Sequence, residues 1–234
     1  MSETSSLVER RYVAALLVLT AGTGAMDGVS FVALDRVFTG NMTGNVLFIG
    51  FGLVGVEGIP ALNNAVALTA FAIGAVAAAR INRGARSGPL LPISSLVVIA
   101  TGISLTLACT VIWLSLGAID DRLMLVFTAV LATTLGAQAA AVKSIGMRDL
   151  STIVVTMTTV NLATDSRLAG GRGQAWKRRI GAIITMAVGG SLSAALALWF
   201  GGQWALLAAV VLMILGGVLL AFARVFDAKQ TGSV

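Results

Sequence analysis

Six long apolar runs fix the fold class before any motif is considered. They are Tyr12 to Leu34, Pro60 to Ala79, Pro92 to Gly117, Arg122 to Val142, Ile180 to Phe200 and Gln203 to Ala223. A helix needs about 20 such residues to cross the hydrocarbon core, where only helices and closed barrels satisfy their own backbone. Charged residues make up 11% of the 234 and hydrophobic ones 57%, a balance far from that of a soluble domain. The expectation is an all-α integral membrane protein, one membrane domain over residues 1–234, with six transmembrane helices. Glu9-Arg10-Arg11 followed by Tyr12 to Thr20 resembles a signal peptide. The apolar run continues to Leu34 with no soluble domain after it, so it reads as a first span.

The same composition removes several chemistries. Histidine is absent and Cys109 is the single cysteine, which excludes disulfides within the chain, Cys/His zinc sites and histidine acid-base catalysis. No phosphate-binding Gly-x-x-x-x-Gly-Lys-Ser/Thr loop occurs. No cofactor is expected, nor an enzyme, since no nucleophile sits beside a base. The net charge of +6 comes from basic residues in short connections rather than on one face, so the expected partner is the lipid bilayer and not nucleic acid.

Two further segments are too polar or too broken for ordinary spans: Val37 to Val56, and Ser151 to Leu168 with its Thr152, Thr156, Thr158, Thr159, Asn161, Thr164 and Asp165. Cytoplasmic connections are enriched in Lys and Arg. If both segments re-enter without crossing and the N-terminus is cytoplasmic, 14 of the 16 Lys and Arg lie inside, with Arg36 and Arg122 outside. If both cross, the division falls to 10 against 6. A seven-span alternative, with only Val37 to Val56 crossing and the N-terminus outside, gives 13 against 3.

Internal order favours six spans with both termini cytoplasmic. A helix, a polar segment and two helices occur in residues 11–117 and again in 122–224. Three spans per half would turn the second half upside down, giving the 3+3 inverted repeat of many secondary transporters. Thr43-Gly44-Asn45-Val46 and Thr159-Val160-Asn161-Leu162 echo each other. Each follows a helix with a lone polar residue near a glycine: Asp27 after Gly24, and Gln138 after Gly136.

Asp27 lies about 22 Å into the first span at helical rise. An ionised carboxylate there costs at least about 2.5 to 3.5 kcal/mol, so it should face the bundle interior, pair, or hold a proton. Proton or cation coupling is its sharpest functional form, and capping a helix break after Gly22, Gly24 and Gly28 its structural one. In Thr39-Gly40-Asn41-Met42-Thr43-Gly44-Asn45, a helix would put Thr39 and Thr43 on one side and Asn41 and Asn45 about 200° away. The segment is therefore enclosed, or unwound along a cavity. Gly24/Gly28 and Gly40/Gly44 are small-xxx-small pairs suited to helix packing. In the second segment Thr158, Asn161 and Asp165 share a face, with Thr159 on the neighbouring one and Arg167 close enough to neutralise Asp165. Arg172 to Arg179, with Trp176, reads as a headgroup anchor or lipid-headgroup site, and Trp113, Trp199 and Trp204 as interfacial.

Ala21-Gly22-x-x-x-x-Asp27 together with Val37-Phe38-Thr39-Gly40-Asn41-Met42-Thr43-Gly44-Asn45 resembles the signature of the YoaK-like family of bacterial inner-membrane proteins, domain of unknown function 1275. The likeness runs from Arg11 to about Arg224. It implies a multi-pass protein of the bacterial inner membrane and says little about chemistry.

The residues themselves point to a small-solute or ion transporter or channel. Segments 37–56 and 151–168 would meet from opposite sides, with Asp27, Thr39, Asn41, Thr43, Asn45, Gln138, Thr158, Thr159 and Asn161 along the path. The alternative is a non-transporting scaffold or accessory subunit whose glycine faces recruit partners, and a homo-oligomer is a further candidate assembly.

Overall fold

The computed structural model describes residues 3–84, 91–143, 155–171, 173 and 175–230. They form eight α-helices: α1 (Glu3–Ala33), α2 (Met42–Leu53), α3 (Ala61–Asn82), α4 (Ile93–Leu116), α5 (Asp121–Lys143), α6 (Val155–Thr164), α7 (Trp176–Phe200) and α8 (Gly202–Gln230), with a 3-10 turn at Arg167–Ala169. Pro60 and Pro92 immediately precede α3 and α4, where a missing N–H costs nothing. Six helices (α1, α3, α4, α5, α7 and α8) are long and apolar enough to cross a membrane. The 12 residues of α2 reach only about 18 Å, so the described helices supply six of spanning length, not seven.

α1 and α8 run beyond their apolar stretches at the end of the molecule where the start of α1 meets the end of α8. There the Arg11 guanidinium lies 4.1 Å from the centroid of the Phe226 ring, and Arg224 Nε donates to the Leu91 carbonyl at 2.8 Å. Long basic side chains that reach a ring face or a carbonyl let a helix carry charge where a bilayer surface would begin.

The helices form two groups of three. α1 packs against α7 and α8, and α5 against α3 and α4. The groups meet where α4 lies on α8 and where α1 narrowly touches α5, while α2 rests on α3 and α6 on α7. Neither group comes from one half of the chain, because the first span of each half packs on the second and third spans of the other.

A glycine crossing holds each group together. In one, a Cβ on Gly24 would fall on the Met186 carbonyl, and one on Gly189 on the Ala21 carbonyl. In the other, Gly136 stands against the Phe71 carbonyl and Gly74 against the Thr133 carbonyl. Each time the oxygen belongs to the residue three before the partner glycine. Lipid gives helices no hydrophobic reason to associate, so backbone contact of this kind carries much of the packing. Around the crossings Met26, Val29, Leu131, Leu135, Leu206 and Met213 fill the centre. Trp113 departs from the interfacial expectation: it is buried edge-on to Phe127 with ring centroids 5.9 Å apart. Trp199 and Trp204 are exposed as expected.

Candidate functional site

The chain leaves α1 at Leu34 and reverses through Asp35 and Arg36, both at left-handed φ of 69° and 53°. Two consecutive non-glycine residues there are uncommon and strained. A hydrogen bond of 2.7 Å from Asn63 Nδ2 of α3 to Asp35 Oδ2 pins the reversal. Val37 to Asn41 then run back without helical structure before α2 begins. This return brings Thr39 and Gly40 to Asp27, six residues and about 9 Å back from the last residue of α1. The segment re-enters the bundle.

Asp27 and the strand satisfy each other. Asp27 Oδ1 accepts from the Gly40 N–H at 2.6 Å, the Thr39 N–H at 3.0 Å and the Thr39 hydroxyl at 3.4 Å. Unwound backbone away from water needs acceptors, and a buried carboxylate needs donors. The other oxygen, Oδ2, is buried and accepts no hydrogen bond from the protein.

Gly40 sits where α1 meets α5. A Cβ there would lie 3.2 Å from Leu135 and Thr23 and 3.3 Å from Asp27 Oδ1, so only the hydrogen of glycine leaves the strand this close. One turn along α5, Gln138 Nε2 donates to Thr23 Oγ1 at 3.3 Å, and the Thr23 hydroxyl donates to the Leu19 carbonyl at 3.1 Å. Gln138 Oε1, like Asp27 Oδ2, is buried without a donor. Thr23, Asp27, Thr39 and Gln138 are all more than nine-tenths buried. Residues 12–34, 37–53, 61–79, 93–116, 123–142, 180–200 and 203–223 contain one charged side chain, Asp27.

Asn41 and Asn45 hold the segment in shape. Asn41 Oδ1 caps α2 by accepting from the Gly44 N–H at 3.3 Å. Asn45 accepts from the Phe38 N–H at 2.9 Å and donates to the Phe38 carbonyl at 2.6 Å. The Phe38 ring packs in a triangle with Phe31 of α1 and Phe48 of α2, at centroid distances of 5.0 and 5.7 Å, the Phe31 and Phe48 rings being 6.0 Å apart. A Cβ on Gly44 would meet that ring at 2.8 Å. Thr43, in the first turn of α2, is exposed.

One expectation is corrected here. Gly40 precedes α2 rather than lying in it, so Gly40 and Gly44 form no helix-packing seam: one clears the α1–α5 contact and the other the Phe38 ring. Gly24 and Gly28 do form a seam, Gly28 lying against Gly190 and Ser193 of α7.

The structure does not bring the second polar segment to this cluster. α6 contacts α7 and the 3-10 turn and has no contact with α2, and Thr152 lies outside the described residues. Thr158 is buried, whereas the exposed Thr159 donates its hydroxyl to the Val155 carbonyl at 2.9 Å. Asp165 pairs with Arg179 at 2.7 Å rather than with Arg167, and Arg179 Nη1 also donates to the Asn161 carbonyl at 2.8 Å. Arg179 thus turns inward and ties α6 to α7 instead of anchoring to headgroups. A cavity of about 390 Å³ beside it is lined by Leu162, Asp165, Ser166, Arg167, Gly173 and Trp176.

Sequence reasoning passed over Thr23 and the Phe31–Phe38–Phe48 stack. Thr23 was within reach, being one turn before Asp27 on the same helix face. The stack depends on the reversal at Asp35 and Arg36 and left no local signal.

A family model described as "Protein of unknown function (DUF1275)" matches residues 15–233. Among curated proteins, "UPF0700 transmembrane protein YoaK" of Bacillus subtilis (strain 168) is 27% identical over 158 residues, which cover 67% of each chain. No solved structure matches.

Proposed function

Since the chain belongs to the DUF1275 family of multi-pass membrane proteins, we propose that it moves a small polar solute or ion across the bacterial inner membrane by way of the α1–α5 contact. One observation carries this reading: a buried carboxylate that grips unwound backbone with one oxygen and keeps the other bare. Buried polar atoms without partners are few in folded proteins, and an intramembrane aspartate that faces the bundle marks a pathway by default. A single formal charge suits a neutral polar solute or a small ion better than a multivalent one.

The reciprocal glycine crossings support an inverted repeat, in which α1, α2, α3 and α4 correspond to α5, α6, α7 and α8. Six spans would then put α2 and α6 at opposite membrane faces, the arrangement from which alternating access is built. The gathering of basic residues at the end where α1 begins and α8 ends supports a cytoplasmic placement of that end. A scaffold role is less favoured, because the Gly24 and Gly28 faces are used within the chain.

Reconstitution in liposomes tests the proposal. Influx of at least one small polyol, amino acid or monovalent ion is expected with wild type, and a clear loss with Asp27→Asn and Gln138→Leu. No influx for any of these solutes, together with growth phenotypes of both variants identical to wild type, overturns it.

A further inference from the structure

The α1–α5 contact contains two buried oxygens without donors from the protein, Asp27 Oδ2 and Gln138 Oε1. The other atom of each group is engaged: Asp27 Oδ1 by the strand, and Gln138 Nε2 by Thr23. Thr23 and Asp27 both border Gly40, so Thr23 links the Gln138 amide to the surroundings of the carboxylate, and the three side chains form one polar cluster. Building on the transport reading, we propose that this cluster is a binding site for a monovalent cation, H⁺ or Na⁺, whose occupancy loosens the hold of α1 on the re-entrant strand.

The chemistry of the cluster selects the ligand class. Every available atom is oxygen, which suits a proton or a hard cation rather than a soft metal. The cluster carries one negative charge, so one positive charge neutralises it, whereas a divalent ion would leave a net charge buried among apolar helices. No second ionisable group competes. α5 presents Leu135 and Gln138 here, α7 presents Gly190 and Ser193 beside Gly28, and α8 and the strand present no charge. Along the chain, the charges nearest to Asp27 are Asp35 and Arg36 at the reversal, where Asp35 is held by Asn63 and Arg36 lies beside Gly58. The charge nearest to Gln138 is Lys143, exposed at the last residue of α5.

The coupling follows from the same atoms. Hydrogen bonds to an ionised carboxylate are roughly twice as strong as neutral ones. A proton or cation on Oδ2 therefore weakens all three bonds that Oδ1 receives from Thr39 and Gly40. The Asn45 clasp and the Phe38–Phe48 contact lie within the re-entrant segment and travel with it, which leaves Phe31 as the aromatic contact with α1. Asp27 is thus the polar tie between the strand and α1, and its charge sets how firmly the tie holds.

The test is maleimide labelling of the full-length chain in liposomes, with Cys109→Ser and the half-buried Met42→Cys, normalised to Glu57→Cys in the exposed loop after α2. A proton site predicts a labelling rate that rises about tenfold from about pH 9 to about pH 5 at constant salt. A sodium site predicts a similar rise when Na⁺ replaces choline at fixed pH. In either case Asp27→Asn labels fast and without dependence on either cation. Labelling that is flat in both titrations of the otherwise wild-type chain overturns the proposal whether or not Asp27→Asn folds, and so does an unchanged dependence in that variant. Cation-dependent labelling without solute flux sustains this site and removes the transport reading. Flux with flat labelling does the reverse.

Discussion

Asn45 grips both polar atoms of Phe38 with its one amide, and it is fully buried while doing so. Asn45→Ala leaves an N–H and a carbonyl unpaired in an apolar setting, a loss of roughly 2 to 4 kcal/mol. Thermal unfolding in detergent should show a lower midpoint, with Asn41→Ala, which removes only a cap, costing about 1 kcal/mol. Gly44→Ala forces the Phe38 ring aside and should destabilise by about 1 to 3 kcal/mol in the same assay. The lone carboxylate and the Gly/Thr/Asn stretch are visible in the sequence because each contradicts the apolar pattern around it. Which atoms Asp27 would hold is not visible. The return register depends on Asp35 and Arg36 entering a left-handed conformation that neither residue advertises.

α2 and α6 were legible as departures from spanning helices, and their unequal docking was not. Both offer Thr-x-Asn. Only the first has an aromatic residue before it that stacks on the preceding span and a carboxylate within that span to receive its backbone. α6 depends instead on Arg179, whose role is hidden in a run of basic residues that reads as a surface anchor. Arg179→Met removes the partner of Asp165 and the donor to the Asn161 carbonyl while keeping the side-chain length. Limited proteolysis should then cut near Asp165 to Gly171 at least several-fold faster, while the unfolding midpoint of the spans moves little. Equal protease resistance would mean that the ion pair does not hold α6.

Six spanning helices and their order were readable from hydropathy, with boundaries close to those of the structure except where α1 and α8 extend past their apolar runs. The exchange of first spans between the halves was not, since a glycine in a span carries no label for its partner. The exchange has a measurable consequence. Residues 1–118 and 119–234 produced as separate chains should each be unstable, because α1 lacks α7 and α8 while α5 lacks α3 and α4. Co-expressed, the two pieces should co-purify through a tag on either one. Gly24→Val and Gly136→Val should abolish that association to similar extents, since each places a side chain on a backbone carbonyl of the facing helix.

The position of Asp27 also bears on how the chain is made. α1 is synthesised first, and its main partners α7 and α8 come last. At 5 to 20 residues per second, the roughly 140 residues between the end of α1 and the start of α7 take about 7 to 30 s. Through that interval the nascent first helix would offer a carboxylate to lipid with its permanent neighbours still unmade. The strand that covers Asp27, however, follows it by only 12 and 13 residues, so it leaves the ribosome almost together with the group it shields. The contact that serves the finished protein as a tie is thus also placed to escort an expensive charge through membrane insertion.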